Sequence, residues 1–371
     1  MVATAAGSPG RTIRVPAKRR SIRDVAELAG VSVGTVSNVL NKPSLVAEVT
    51  RSKVEAAIAT LGFVRNGSAR QLRAGTSRTV GAIVLDISNP FFTDVARGIE
   101  DRLAEDDHIL VLASSDERPD KERRYLRLLE EQGVQGVLVS PAEDDLGWLD
   151  ETQARGTAVV LLDRTSPTDT MCSVAVDDIK GGELAAAHLV SLGHRRIGFV
   201  NGSPKIRQCA DRRKGVKKAL RSAGLPLTPS LVEVTGTSLN ADGGEEALER
   251  LLQLSDPVTA IVCVNDLTAL GVLRGLRRRD INVPEQMSVV GYDDVEFAAV
   301  LTTPLTSIRQ PRYQIGRAAA QLLLAEAGSR GHLHEQVLFQ PELIIRESSG
   351  PHQPVGRRDL ARAAAPLPVG R

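Results

Sequence analysis

Between residues 79 and 349, short apolar runs alternate with longer amphipathic stretches. The predicted strands are Val80–Leu85, Ile109–Ala113, Gly136–Val139, Ala158–Leu162, Arg196–Val200, Ala260–Val264 and Ser288–Tyr292. The predicted helices are Phe92–Glu105, Arg118–Gln132, Gly182–Leu192, Arg212–Ala223, Asp242–Leu254 and Leu267–Arg278. Because continuous apolar runs are typical of strands buried on both faces, this alternation predicts parallel sheets covered by helices.

The length of the alternating region predicts more than one sheet. A stretch of more than 250 residues is large for a single sheet, so we expect an α/β body of two doubly wound parallel-sheet subdomains, similar to periplasmic binding proteins. The expected segments are a basic flexible extension 1–20, a helical headpiece 21–63, a linker 64–78, a body 79–349 (79–175 with 310–337, and 176–309 with 338–349) and a disordered tail 350–371.

Positive charge is concentrated at the N-terminus. Residues 1–80 carry 13 Lys or Arg and 4 Asp or Glu, although the whole chain has a net charge of only +2. A basic module on an acidic body fits a nucleic-acid partner at one end of the protein. A solvated basic tail would give the same charge distribution.

The headpiece pattern predicts three short helices. In the first, apolar residues at 22, 25, 26, 28 and 29 form one face, and Gly30 suits a left-handed helix end. Ser32 is placed to cap a second helix over Val33–Leu40, which would bury Val36 and Leu40. A third helix, about Glu48–Leu61, would add Val54, Ile58 and Leu61 to a small core and stop at Gly62. Two helices joined by a glycine-bearing turn predict a helix-turn-helix.

The second helix carries the groups that major-groove recognition needs. Thr35, Ser37 and Asn38 would face outward as short hydrogen-bonding side chains. Ser32, Val33 and Gly34 stand at its N-terminus, where a thymine methyl group or a close backbone approach can be met. A small helical bundle without a ligand is the alternative.

The string IRDVAELAGVSVGTVSNVLN, residues 22–41, closely resembles the headpiece of the lactose/galactose repressor (LacI/GalR) family. The resemblance continues to about Glu347. One departure is Asn38, where the family commonly has Arg; Asn prefers adenine and Arg prefers guanine.

Residues 66–75 resemble the hinge helix of that family. The segment is too short to form a stable isolated helix, and the resemblance implies that it folds when two copies meet in the minor groove. Leu72 would then be the wedge that unstacks the central base step, with Arg70 and Arg73 near phosphates or in the groove. Asn66 and Ala69 complete the implied contact set. The resemblance thus implies a homodimer on a near-palindromic operator; a plain linker is the alternative.

Enzyme signatures are missing from the sequence. It has no phosphate-binding GxxxxGK[ST], no GxSxG elbow and no HExxH helix, so no catalytic residue and no cofactor is expected. Its three cysteines lack zinc spacing and are expected to be reduced thiols in a cytoplasm. His332 and His334 have no neighbour in sequence that completes a metal site, so no metal is expected either.

The resemblance also implies an effector site. Phe92 would present an aromatic face, Arg212 of the R-x-x-G motif would clamp the ligand, and Asp163 would lie at the end of a strand. Asn265 and Asp293 would hydrogen-bond hydroxyl groups, and Gln310 belongs to the same implied set. Arginine, carboxylate and amide groups around one aromatic suit a sugar, although the same set could hold a nucleobase.

These features predict a cytoplasmic, dimeric DNA-binding repressor controlled by a small molecule, with a sugar as the expected effector. A nucleobase- or corepressor-responsive regulator is the nearest alternative. A periplasmic-type sugar-binding protein fits the body, but the basic headpiece and the absence of a signal-like apolar run argue against it. An enzyme is a third reading that no motif supports.

Overall fold

The computed structural model describes residues 20–64, 77–329 and 331–353. By its internal contacts the chain divides into two units, a headpiece that ends at Thr76 and a body that begins at Ser77. Among the described residues, no helix is long and apolar enough to cross a membrane.

The headpiece is helical, as the sequence predicts. Its helices are α1 (Ile22–Ala29), α2 (Val33–Asn41) and α3 (Glu48–Leu61), with a 3₁₀ turn at Pro43–Leu45. Ser21 and Asp24 form a capping box at the start of α1, and the Ser32 hydroxyl accepts from the Thr35 backbone N–H at the start of α2. Gly30 (φ 66°) ends α1 in the left-handed conformation that glycine adopts without strain.

The headpiece core differs from the prediction at two residues. It is built from Val25, Ala26, Val36, Val39, Val54 and Ala57. Val39 is buried on α2, whereas Leu40 is only half-buried and packs against this core from its edge. Leu28 is 53% exposed and lies off the buried face of α1, so its assignment to that face was wrong.

The body contains two six-stranded sheets, which confirms the predicted fold class. The strands are β1 (Thr79–Val84), β2 (Ile109–Ser114), β3 (Gly136–Val139), β4 (Ala158–Leu162), β5 (Cys172–Val176), β6 (Ile197–Asn201), β7 (Leu231–Thr235), β8 (Ala260–Cys263), β9 (Ser288–Asp293), β10 (Thr306–Arg309), β11 (Gln336–Phe339) and β12 (Glu342–Ile344). The strand orders are β11-β5-β4-β3-β1-β2 and β12-β10-β9-β8-β6-β7. All pairs are parallel except β10 with β12, which is antiparallel at an edge of the second sheet.

Helices cover both faces of each sheet. They are α4 (Pro90–Ala104), α5 (Pro119–Glu131), α6 (Gly147–Ala154), α7 (Asp178–Ser191), α8 (Arg207–Ser222), α9 (Leu227–Ser230), α10 (Ala241–Leu252), α11 (Asp266–Arg278) and α12 (Arg312–Gly328). In β1, Ala82 packs with α4 and α12, whereas the adjacent Ile83 packs with α5 and α6. This alternation is what a strand buried on both faces requires.

The chain passes between the two sheets three times. It crosses after β5, again between β10 and α12, and finally between β11 and β12. The last crossing follows Phe339, two residues beyond the expected boundary at 337, because β11 pairs with β5 as far as Val176.

The body also continues past residue 349, where a disordered tail was expected. Gly350 is buried, and its carbonyl oxygen lies 3.1 Å from His194 Nε2. The His352 backbone N–H donates to the Leu192 carbonyl at 2.8 Å. The predicted tail boundary was therefore several residues too early.

Candidate functional site

The N-terminal half of α2 forms the candidate DNA-contacting surface of the headpiece. Of the predicted contact residues, four are exposed and two half-buried; the exposed ones are Ser32, Val33, Gly34 and Asn38, and the half-buried ones are Thr35 and Ser37. All six thus lie at or near the surface of this helix. Val36 and Val39, on the opposite face, anchor the helix in the core.

Hydrogen bonds orient several of these side chains. The Ser32 Oγ atom lies 2.9 Å from Thr35 Oγ1, and Asn41 Nδ2 donates to Ser37 Oγ at 3.2 Å. Such local bonds fix side-chain rotamers before any ligand binds. The predicted hinge contacts Asn66, Ala69, Arg70, Leu72 and Arg73 lie outside the described residues.

In the body, the effector candidates meet at the carboxyl ends of the strands, between the two sheets. A cavity of about 30 Å³ lies there. Its lining residues are Leu85, Asn89, Phe91, Phe92, Asp163, Ile206, Gln208, Cys209, Arg212, Leu239, Val264, Asn265 and Asp293. Five of the six predicted effector residues are in this set. This location is where ligands bind in open parallel α/β sheets.

Arg212 is held by three contacts with the second sheet and its helices. Its Nε donates to Asp178 Oδ1 at 2.7 Å, and its Nη1 donates to the Val264 carbonyl at 2.6 Å. The guanidinium lies over the Tyr292 ring, 3.7 Å from the ring centroid. Arg212 is only 6% exposed, so it is an internal ion-pair residue as well as a cleft residue.

The glycine of the R-x-x-G motif has a packing role. A Cβ atom on Gly215 would lie 2.0 Å from the Ile179 carbonyl oxygen, and one on Gly182 would lie 2.1 Å from the Arg212 carbonyl oxygen. Helices α7 and α8 therefore approach each other so closely that neither position can carry a side chain without a shift. This contact sets α8, and with it Arg212, against Asp178.

Asp163 presents an acceptor to the cleft. Its Oδ2 accepts from Gln208 Nε2 at 2.9 Å, whereas its buried Oδ1 has no hydrogen-bond partner among the described residues. Gln208 Oε1 is likewise buried and has no partner in the described part of the chain. Burial, followed by the charge of Asp178, raises the pKa of Asp163 well above its ordinary value.

Asp293 is the second carboxylate at the cavity. It accepts from Gln310 Nε2 at 2.7 Å and from Asn89 Nδ2 at 3.2 Å. Burial raises its pKa to about 6, against the opposing charge of Arg212. Asp163 (φ 59°) and Asp293 (φ 109°) both have positive φ, which aspartate adopts more readily than most residues other than glycine.

Gln310 occupies a different position from the other candidates. It does not line the cavity, and it touches the site only through Asp293. Its predicted direct contact with the effector is therefore not supported by this geometry; the structure makes it a positioning residue for a carboxylate.

Asn265 and Phe92 both line the cavity and come from different subdomains. Asn265 caps α11, where its Oδ1 accepts from the Thr268 backbone N–H at 2.8 Å and its Nδ2 donates to the Leu239 carbonyl at 2.9 Å. Phe92 packs edge-on to Phe91 with ring centroids 5.0 Å apart.

Two contributors were missing from the sequence prediction. Gln208 lies one helical turn before Arg212, and this i, i+4 spacing could have identified it once Arg212 was chosen. Asp178, the ion-pair partner of Arg212, lies 34 positions away along the chain, and no sequence pattern connects the two residues.

The cleft is closed in this conformation. About 30 Å³ corresponds to the volume of one water molecule in the liquid. Sites for small organic ligands are about 300 Å³ or larger. The cavity as it stands is therefore smaller than a sugar or a nucleobase requires.

Comparisons with known proteins give matches to both units. A family profile described as "Bacterial regulatory proteins, lacI family" matches residues 21–66. A second profile, "Periplasmic binding protein-like domain", matches residues 186–349.

Individual relatives match over almost their whole length. The HTH-type transcriptional repressor PurR of Photobacterium profundum is 32% identical over 329 residues, which cover 88% of this chain and 98% of PurR. The solved Lac repressor dimer, bound to operator and an anti-inducer, is 27% identical with a TM-score of 0.77 over 90% of this chain and 100% of that one. A LacI-family regulator from Enterococcus faecium with bound ribose is 29% identical with a TM-score of 0.68, over 74% of this chain and 100% of that one.

Proposed function

This chain belongs to the LacI family of bacterial regulatory proteins and is a DNA-binding transcriptional regulator, and we propose that it is a repressor whose effector is a small sugar bound between the body subdomains. The observation that carries the effector proposal is the pair of buried, partnerless acceptors at the cavity, Asp163 Oδ1 and Gln208 Oε1. A ligand with several hydroxyl donors satisfies both. The ribose complex of the Enterococcus faecium regulator supports this class.

A nucleobase is the second candidate effector. The relatives named PurR are the reason to consider it. The ring N–H groups of a base are also donors that Asp163 and Gln208 could bind. The two candidates differ in shape. A flat base would stack over the whole ring of Phe92, whereas a sugar would form hydrogen bonds with more of the polar groups.

We propose that effector binding and operator binding are coupled by opening and closing of the body. The cavity is too small for a ligand in the conformation described above, so an effector must stabilise a different arrangement of the subdomains. In a dimer, that change would alter the spacing of the hinge segments 65–76 and of the two headpieces. The protein would act in the cytoplasm, where the operator DNA is found.

We further propose that the cleft is not an active site. Cys209 is the thiol among the lining residues, and burial raises its pKa to about 12, so it stays protonated and poorly nucleophilic at neutral pH. Arg212 and Asp178 form an ion pair with each other.

The DNA-reading role of α2 is tested by selecting binding sites from random duplexes with wild type and Asn38→Arg. Wild type is expected to select a near-palindromic site, and the variant should change the preferred base at one position of each half-site, because amide and guanidinium groups match different base edges. Ser52→Arg in α3, which adds the same charge at an exposed position away from α2, serves as the control. An unchanged site for Asn38→Arg would contradict direct readout by Asn38.

Asp163→Asn is expected to stabilise the body at pH 7 while weakening effector binding. The folded-state pKa of Asp163 is raised, so its contribution to stability is present at low pH and is lost as the pH rises towards the folded pKa. Removing the buried charge should therefore increase the free energy of unfolding at pH 7 by about 1–2 kcal/mol. The gain in stability should vanish near pH 4, where the Asp163 carboxyl of the folded wild type is as neutral as the amide that replaces it. Urea unfolding at both pH values measures this.

The same variant tests the effector site. Replacing the carboxyl acceptor by an amide should weaken the affinity by about 10- to 100-fold. Calorimetric titration with a panel of pentoses, hexoses, disaccharides and purine bases measures this. Asp178→Asn is the matched control: it should destabilise the body at pH 7, because Arg212 then loses its counter-charge. A destabilised Asp163→Asn variant with normal ligand affinity would contradict the assignment.

A further inference from the structure

A second cluster of ligating side chains lies at the other end of the first sheet, away from the effector cleft. Cys172 is the first residue of β5, and His332 and His334 precede β11, the strand that pairs with β5. The Cys172 Sγ atom is 3.1 Å from His332 Nε2 and 3.8 Å from His334 Nδ1. One ligand atom from each of the three residues lies within 4.8 Å of the others.

The parallel pairing of β5 and β11 explains why residues 160 positions apart meet. Gln336 is opposite Ser173 in the register, so the segment just before β11 runs past the first residue of β5. In an extended chain, residues two apart face the same side. His332 and His334 both reach Cys172, whereas Leu333 between them is 84% exposed.

The separations match those of a tetrahedral metal site. Zinc bonds of about 2.3 Å to sulfur and 2.0–2.1 Å to nitrogen, at the tetrahedral angle, place the two ligand atoms about 3.5 Å apart. The two observed sulfur–nitrogen distances lie on either side of this value, so small side-chain rotations would bring both imidazoles into coordination.

Neighbouring groups suit a metal-bound thiolate. The Glu335 backbone N–H donates to Cys172 Sγ at 3.3 Å, the kind of outer-shell bond that supports a ligating sulfur. The Glu326 carboxylate accepts from Gln153 Nε2 at 3.0 Å through Oε1, but its buried Oε2 has no partner among the described residues. Burial raises the pKa of Cys172, and the charges of Glu326 and Glu335 add to this effect, so without a cation the sulfur is a thiol.

We propose that Cys172, His332 and His334 bind one zinc ion, with a water molecule in the fourth position. Thiolate and imidazole ligands exclude magnesium and calcium, and zinc accepts three protein ligands in tetrahedral geometry. His334 is exposed, so the ion can enter from solvent. The ion would fasten the segment before β11 to the first residue of β5.

The test is a titration of the full-length, reduced protein, stripped of metal by a chelator, with Co²⁺ and then Zn²⁺. One equivalent of Co²⁺ should give the intense visible absorption of a tetrahedral site and a near-ultraviolet band from the cobalt–thiolate bond, and Zn²⁺ should remove both. Cys172→Ser should abolish the thiolate band and weaken binding at least about 100-fold. Zn²⁺ should raise the unfolding temperature of wild type but not of this variant.

Two further variants keep the result interpretable. Cys263→Ser, a buried cysteine in β8 of the other sheet, should behave like wild type in the titration. His334→Gln changes an exposed side chain, so its fold should survive even if Cys172→Ser unfolds, and its Co²⁺ affinity should still fall. Absence of the thiolate band in wild type, or equal Co²⁺ binding by wild type and His334→Gln, would overturn the proposal.

Discussion

Replacing Arg212 by Ala is expected to lower the free energy of unfolding of the body by about 3–5 kcal/mol. The substitution leaves the Asp178 carboxylate buried with Tyr292 as its remaining partner, at 2.9 Å. It also removes the cation from the Tyr292 ring and the bond to the Val264 carbonyl. Urea unfolding followed by circular dichroism measures the loss.

A double-mutant cycle separates the ion pair from the general effect of truncation. Arg212→Met with Asp178→Asn should recover at least half of the loss seen in Arg212→Met alone, because the double variant buries no unpaired charge. Arg212→Lys should keep most of the stability yet bind the effector poorly, since an ammonium cannot form the planar, two-pronged contact of a guanidinium. If Arg212→Ala were as stable as wild type, the buried ion pair would be misassigned.

Leu72→Ala is expected to weaken binding to the operator by about 100-fold while changing binding to random DNA less than threefold. A side chain that wedges between bases stabilises a kinked duplex, which is a feature of the specific complex alone. Binding to random DNA depends on phosphate contacts and is set by positive charge. Fluorescence anisotropy with operator and scrambled duplexes at one fixed salt concentration measures both.

Leu72→Met controls for size and hydrophobicity and should retain at least a tenth of the operator affinity. Equal losses on operator and scrambled DNA for Leu72→Ala would show that residue 72 acts through folding or charge rather than as a wedge.

Much of the architecture follows from the local pattern of apolar residues. Strands such as Gly136–Val139 and Ala158–Leu162 are apolar throughout, and their predicted bounds match β3 and β4. The pattern failed where burial comes from tertiary contacts: β5 contains Cys172 and Ser173, which interrupt an apolar run but are buried by β4 and β11. Helix α12 was missed as well, although it packs against α4 and the first sheet.

The cleft could be predicted because of where its residues fall along the chain. Asp163, Asn265 and Asp293 follow or end strands, and parallel strands bring their carboxyl ends together. What sequence could not supply was which groups satisfy one another. The pairing of Arg212 with Asp178 depends on the packing of two helices. The pairing of Gln310 with Asp293 depends on β10, a strand that the pattern did not predict, lying beside β9.

The cluster of Cys172, His332 and His334 could not be predicted from the sequence either. His332 and His334 have no sequence neighbour that completes a metal site, and Cys172 lies far away along the chain. Only the pairing of β5 with β11 brings the three residues together.

If effector binding in the body is coupled to DNA binding at the headpiece, each ligand must change the affinity for the other by the same factor. The experiment uses the sugar that binds in the panel titration. Operator affinity is measured with and without saturating sugar, and sugar affinity is measured with and without saturating operator. The ratio of the two operator affinities should equal the ratio of the two sugar affinities, in the range of about 5- to 150-fold. Ratios of one in both experiments, with sugar and operator both bound, would show that the two sites are not coupled.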